Sequence, residues 1–184
     1  MTPAAELTPV DLEITRFDHV RGNPDAPVTL VEYGEFECVH CGRAHHTIRQ
    51  ALREVPDEVR FVFRHFPQDH VHPFSERSAI AAEVAGAQGR FWDMYDFLFE
   101  NQHQLEYDDL IRHAREIGLD GDRFAADLAD PAHLSKVHID RDTGAALRVD
   151  ETPTFFINGV RYDGPYDTPS LVAAIRDATA QLGA

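Results

Sequence analysis

Cysteine occurs at two positions in this 184-residue chain, Cys38 and Cys41, with Val39 and His40 between them. Two thiols at this spacing can close a disulfide. Cα atoms more than about 7 Å apart cannot be bridged without backbone movement, and one turn of helix meets that limit. The thiolate is the nucleophile, and a free cysteine with a pKa of about 8.5 is mostly protonated at neutral pH. A helix start offers unpaired N–H groups and roughly half a positive charge, which stabilise a thiolate placed there. A β-rich run over 28–33 stops at Gly34, and a polar, helix-compatible segment covers 42–54. The pair therefore falls where a strand turns into a helix, the arrangement of a redox-active C-x-x-C motif. Cys38, just ahead of the helix, is expected to be the exposed attacking sulfur. Cys41, one turn in, is expected to be the buried resolving thiol. His40, inside the motif, can add charge or a hydrogen bond.

The same cysteines could be half of a zinc site, with His45 or His46 as further ligands. Structural zinc usually takes four protein ligands, often from a second cysteine or histidine pair. The chain has no second cysteine pair, so redox exchange, which calls for no metal or organic cofactor, is the preferred reading. His65, His70 and His72 raise the same question and read more simply as strand-end and loop residues.

The elements that must position the pair follow from pattern. A short first strand is expected within 12–20, then a loop at 22–27 dense in Gly, Asn, Pro and Asp. The run 28–33 reads as a strand buried on both faces. A helix is expected from about 40 to 55, ending before Pro56, and a second strand over 59–66, stopped by Pro67. A β-α-β unit of this length implies a parallel pair. Residues 74–148 then carry helical patterns alone: an alanine-rich segment over 76–88, an aromatic one over 91–100 that reads as core, and helices near 108–117, 120–128 and 131–147. Strand signals return at 154–157, Asn158-Gly159 is a hairpin turn, and 160–162 is the returning strand. Leu171, Ile175, Ala178 and Leu182 mark one face of a closing helix. The domain reading is a flexible tail at 1–11, a two-part α/β domain at 12–73 and 149–184, and a helical insertion at 74–148.

With 43% hydrophobic and 10% aromatic residues the chain can build a core. A net charge of −15 argues against nucleic acid, whose phosphates call for a Lys/Arg surface, and against an anionic membrane surface. The N-terminal residues lack the basic and apolar regions of a secretory signal. No apolar run approaches the ~18 residues needed to span a bilayer. The expectation is a cytoplasmic monomer with a catalytic rather than structural cysteine pair.

The order β-α-β, helical insertion, β-β-α, with C-x-x-C after the first core strand and Thr152-Pro153 before the third, resembles the DsbA-like thiol–disulfide oxidoreductases of the thioredoxin-fold superfamily. The resemblance covers residues 17–182. It is carried by 27–42, Phe63-Arg64-His65-Phe66-Pro67, the run 85–92 and the run 152–159. It implies an α/β thioredoxin fold with an all-helical insertion, Cys38 as attacking and Cys41 as resolving cysteine. It also implies a cis peptide at Pro153, a Thr152 backbone that pairs with an extended substrate segment, and Glu32 as a carboxylate under the pair that relays the Cys41 proton. The sequence departs from the pattern at Val39, where proline is common, and at Asp150-Glu151, where glycine is common. Glu35 and Glu37 are expected to raise the Cys38 pKa, against His40 and the helix dipole.

The implied activity is exchange of a Cys38–Cys41 disulfide or dithiol with protein or small-thiol substrates, in either direction. Two alternatives stay open: a redox-switched binding or sensor module using the same motif, and a glutathione-linked transferase or isomerase of the same superfamily.

Overall fold

Branched and aromatic residues dominate 28–34 and 59–65, and both segments are buried strands. The structure is a computed structural model and describes residues 12–183; the tail expected at 1–11 lies outside them. β2 (Val28–Gly34) and β3 (Val59–His65) pair in parallel, with Glu32 opposite Phe63. Between them runs α1 (Val39–Glu54). β1 (His19–Gly22) adds antiparallel to β3. β4 (Thr154–Ile157) pairs antiparallel with β2, and β5 (Val160–Tyr162) with β4, through a turn in which Asn158 and Gly159 both have positive φ. The sheet order is β1-β3-β2-β4-β5. Five α-helices lie between β3 and β4: α2 (Ser75–Ala87), α3 (Phe91–Glu100), α4 (Tyr107–Glu116), α5 (Gly121–Leu128) and α6 (Leu134–Ala146). A single 3-10 turn, Pro131–His133, precedes α6. α7 (Thr168–Leu182) closes the chain, capped by the Asp167 carboxylate on the Ser170 N–H. This is the expected α/β thioredoxin fold.

Two local readings need correction. The first strand lies at 19–22 rather than within 12–20. Residues 15–18 form a turn in which the Asp18 carboxylate accepts from the Thr15 N–H at 2.8 Å, and that carboxylate is also taken by Arg64. In α7 the buried stripe is Leu171, Val172 and Ile175, while Leu182 in the last turn is exposed.

The pleat sorts the sheet into two faces. Val28, Leu30, Phe61 and Phe63 join the larger core with Ile48 of α1, Tyr95, Leu98 and Phe99 of α3, and Leu171 of α7. Val31, Tyr33, Val62 and Phe156 face the other way, in a smaller core with Phe66 and Val149. Each large apolar side chain buried this way stabilises the fold by about 1.5–3 kcal/mol. Glu32 falls in register with Leu30, so the pleat turns a carboxylate into the larger core, beneath the start of α1. Gly34, two residues on, leaves room for it: a Cβ there would sit 3.0 Å from Glu32 Oε1.

Candidate active site

Cys38 is the N-cap of α1, with extended backbone, and its carbonyl accepts the first helical bond from the Gly42 N–H at 3.1 Å. Both cysteines are free thiols. Cys41 is fully buried. Cys38 is not the exposed sulfur the sequence suggests; it is 5% exposed. The loop before β4 covers it, with a cis Thr152–Pro153 peptide and the Thr152 carbonyl 3.4 Å from the sulfur. Its neighbours Val39 and His40 are exposed, so the sulfur lies just beneath the surface, between the start of α1 and that loop.

The Cys38 thiol is lowered to about 5. The main cause is a hydrogen bond from the Cys41 thiol. The Thr152 hydroxyl and the backbone N–H groups of Cys41 and His40 add to it, and burial opposes them. When protonated, Cys38 instead donates to the Thr152 carbonyl. Cys41 is pushed well up by burial, then by its bond to Cys38 and by the Glu32 charge. The two sulfurs therefore differ in character at neutral pH, one ionised and one protonated.

Glu32 is wholly buried and neither carboxylate oxygen has a hydrogen-bond partner among the described residues. Burial holds its pKa well above the ordinary range, and the Cys38 charge adds to that. Tyr95, from α3, is also fully buried with its hydroxyl unpartnered.

His40 contributes its backbone N–H to the sulfur, while its ring Nδ1 lies 3.3 Å from the Tyr166 hydroxyl. Glu35 and the Cys38 thiolate repel as the sequence suggests, but both acids are also engaged elsewhere. Glu35 is buried and accepts from the Ser75 hydroxyl and pairs with His72; Glu37 accepts from the Phe74 N–H at 2.7 Å. Both acids are spent on tying the start of α2 to the loop ahead of Cys38, and the low Cys38 pKa stands despite them. Asp150 and Glu151 are exposed, with Asp150 3.6 Å from Arg161.

Three of the histidines weighed as metal ligands, His45, His65 and His72, are committed elsewhere. His45 Nε2 bonds Asp96 at 2.9 Å, which with Arg21 holds that carboxylate down at about 2. His65 Nε2 bonds Glu83 at 2.8 Å. Among the described residues no group of three or more His, Cys, Asp or Glu side chains could hold a metal ion. No helix among them is long and apolar enough to cross a membrane.

The thiolate can be read directly. Absorbance of the reduced protein at 240 nm is expected to rise through one step near pH 5, with no further cysteine step until well above pH 9. The low step should vanish in Cys38→Ser. Because the folded value lies below the unfolded one, this thiolate stabilises the reduced fold fully above about pH 9, and that contribution is lost as pH falls through 5. The melting temperature of the reduced form relative to the oxidised form should fall over the same window. A single step near pH 8.5 would contradict this geometry.

An acidic thiol at a helix start, a buried second thiol and a cis-proline loop across them are the arrangement of the thioredoxin class. The chain belongs to the thioredoxin family, whose model matches residues 15–177, and its fold is the DsbA-like form with helices inserted between the halves. A thioredoxin-like oxidoreductase from Silicibacter pomeroyi superposes with a TM-score of 0.78 at 26% identity, covering 90% of this chain and 91% of that one. BdbD from Bacillus subtilis gives 0.79 at 23% identity, covering 88% and 92%. Wolbachia pipientis alpha-DsbA1 gives 0.79 at 21%, covering 92% and 94%. The curated relatives bear a different name. A Na(+)/H(+) antiporter NhaA 3 of Salinispora tropica is 44% identical over 174 residues, 95% of this chain and 26% of that protein. An NhaA 1 of Mycobacterium sp. (strain KMS) is 44% identical over 171 residues, 92% of this chain and 27% of that protein. This chain thus spans about a quarter of the length of those relatives.

Sequence reasoning did not single out Tyr166 or Gln102. Tyr166 carries no local signal, since it reaches His40 across 126 residues of chain. Gln102 left one trace, a glycine at position 42 inside a helical pattern. Such a glycine usually has a packing reason.

Proposed function

We propose that the protein exchanges disulfides with cysteine-bearing polypeptides through a mixed disulfide at Cys38. The observation that carries this is the Cys38 sulfur, lowered to about 5 and placed against the Thr152 backbone. The Cys38 thiolate attacks one sulfur of a substrate disulfide, forming a Cys38–substrate bond and expelling the other sulfur as a thiolate. Cys41 gives up its proton and attacks Cys38, closing the Cys38–Cys41 disulfide and expelling the second substrate thiolate. Two electrons pass to the substrate. The reverse sequence oxidises a dithiol.

Glu32 fits the proton step. While Cys38 is a thiolate its charge helps keep Glu32 protonated. Once that sulfur is bound in a mixed disulfide the charge is gone, and Glu32 ionises more readily and can take the Cys41 proton. The thiolate also favours the reduced pair and makes Cys38 the better leaving group, so oxidation of substrates is the favoured direction.

The test is Cys41→Ser expressed in cells. With the resolving thiol gone, mixed disulfides at Cys38 should accumulate as adducts that a reductant dissolves on a non-reducing gel. Absence of such adducts, with Cys38 still titrating near pH 5, would sink the reading.

A second reading rests on the curated relatives. Their region similar to this chain belongs to proteins named sodium/proton antiporters, so the pair can serve as a redox sensor acting on such a transporter. The same trap separates the two. A broad spread of adducts supports general exchange, and one dominant adduct with an antiporter in the membrane fraction supports the sensor.

A further inference from the structure

Gln102 lies in the turn that follows α3, 64 residues from Cys38 in sequence, yet its side chain ends at the redox motif. The Nε2 amide donates to the carbonyl of Phe36 and to the carbonyl of Cys38, each at 2.8 Å. Both of its protons are used. Gly42 makes the approach possible, for a Cβ at that position would sit 2.3 Å from Gln102 Oε1. α3 itself is fixed against α1 by the His45–Asp96 bond and by Phe99, whose ring stacks on that of His45 with centroids 5.3 Å apart.

Cys38 holds the helix start through its backbone as well as its sulfur. Its carbonyl receives two donors, the Gly42 N–H from within the helix and the Gln102 amide from outside it. The direction of that carbonyl sets ψ at Cys38. That angle decides where the His40 and Cys41 N–H groups point relative to the sulfur.

We propose that Gln102 is a positioning residue for the redox pair, a strut from the helical block that holds the Phe36 and Cys38 carbonyls and so fixes the start of α1 beneath the attacking sulfur. The inference rests on the exchange reading above. It gives the helical block a part in the chemistry without any contact to substrate.

The test uses the full chain. Gln102→Ala is expected to raise the Cys38 titration at 240 nm by about one pH unit. It should also shift equilibrium with glutathione toward the disulfide by up to about tenfold, a potential about 30 mV lower. Gln102→Glu, whose ionised carboxylate cannot donate, should not restore either value. Gly42→Ala should expel the amide and reproduce both shifts, while adding nothing in the Gln102→Ala background, because the two act on one contact. Gly42→Ala also keeps the question answerable if Gln102→Ala folds poorly, since alanine favours the helix. A lowered melting temperature with an unmoved Cys38 titration and potential would overturn the inference. So would an equal Gly42→Ala shift in both backgrounds. Failure of the unmodified protein to exchange with glutathione disulfide would instead count against the exchange reading, since the titration needs no turnover.

Discussion

Cys38→Ser is expected to lower disulfide exchange by a factor on the order of 10⁴ or more, the scale seen when a covalent nucleophile is removed. The substitution changes one atom and leaves backbone, loop and helix start in place, so the protein should remain folded. No other group can substitute. Cys41 is the one remaining cysteine, it is fully buried, and its pKa is held well above the ordinary thiol range. A single thiol also cannot store two electrons as an internal disulfide. Insulin reduction and glutathione equilibration should both be flat in this variant, and the titration step near pH 5 should be missing. Exchange retained within tenfold of the unmodified protein would mean that the chemistry lies elsewhere.

How much of this the residues declared in advance varies with the range of the interaction involved. C-x-x-C pointed to thiol chemistry, because two thiols need only a local spacing and a helix start. The strands at 28–34 and 59–65 showed in composition, since a doubly buried strand excludes most polar residues. Glu32 is the exception, and it was the family resemblance that marked it. The exposure of Cys38 did not show. It is set by a loop 114 residues away in sequence, lying across the sulfur. The roles of Glu35 and Glu37 were only half visible on the same ground. Sequence placed two acids beside a thiol, and only the fold reveals that Ser75, His72 and the Phe74 N–H take them up. Gln102 lies in a segment whose pattern speaks of helices alone, and its reach to the redox loop depends on how α3 packs on α1. Local chemistry was legible; the partners supplied by distant chain were not.

Arg64→Ala tests the opposite face of the sheet, and a loss of about 3–5 kcal/mol is expected, the usual cost of breaking a buried ion pair from one side. Arg64 is buried, and it grips Asp18 with two bonds, Nε at 2.9 Å and Nη2 at 3.0 Å. It also donates to the Tyr33 hydroxyl at 3.1 Å and the Glu13 carbonyl at 2.7 Å. Alanine would leave the Asp18 carboxylate, 2% exposed, with Lys136 at 3.6 Å as its remaining cationic partner. For a domain of this size the melting temperature should drop by roughly 6–20 °C. The pH dependence identifies the cause. In the intact protein Asp18 is lowered, burial opposing but the Arg64 hydrogen bond leading the terms that win, so it contributes stability above about pH 4 that is lost as pH falls through its folded value. Without the guanidinium, burial prevails and the folded pKa moves up. The deficit is then largest near neutrality and narrows as pH falls from the variant's raised folded value toward the lowered value of the intact protein, the range in which Asp18 takes up a proton in the variant alone. Asp18→Asn with Arg64→Met should recover much of the loss, because neither charge is left stranded. The Cys38 titration should stay near pH 5 in both variants, since Tyr33 and Glu32 point to opposite faces of β2. A moved titration would show that the two faces are not independent, and an unchanged melting temperature would show that the buried pair holds nothing together.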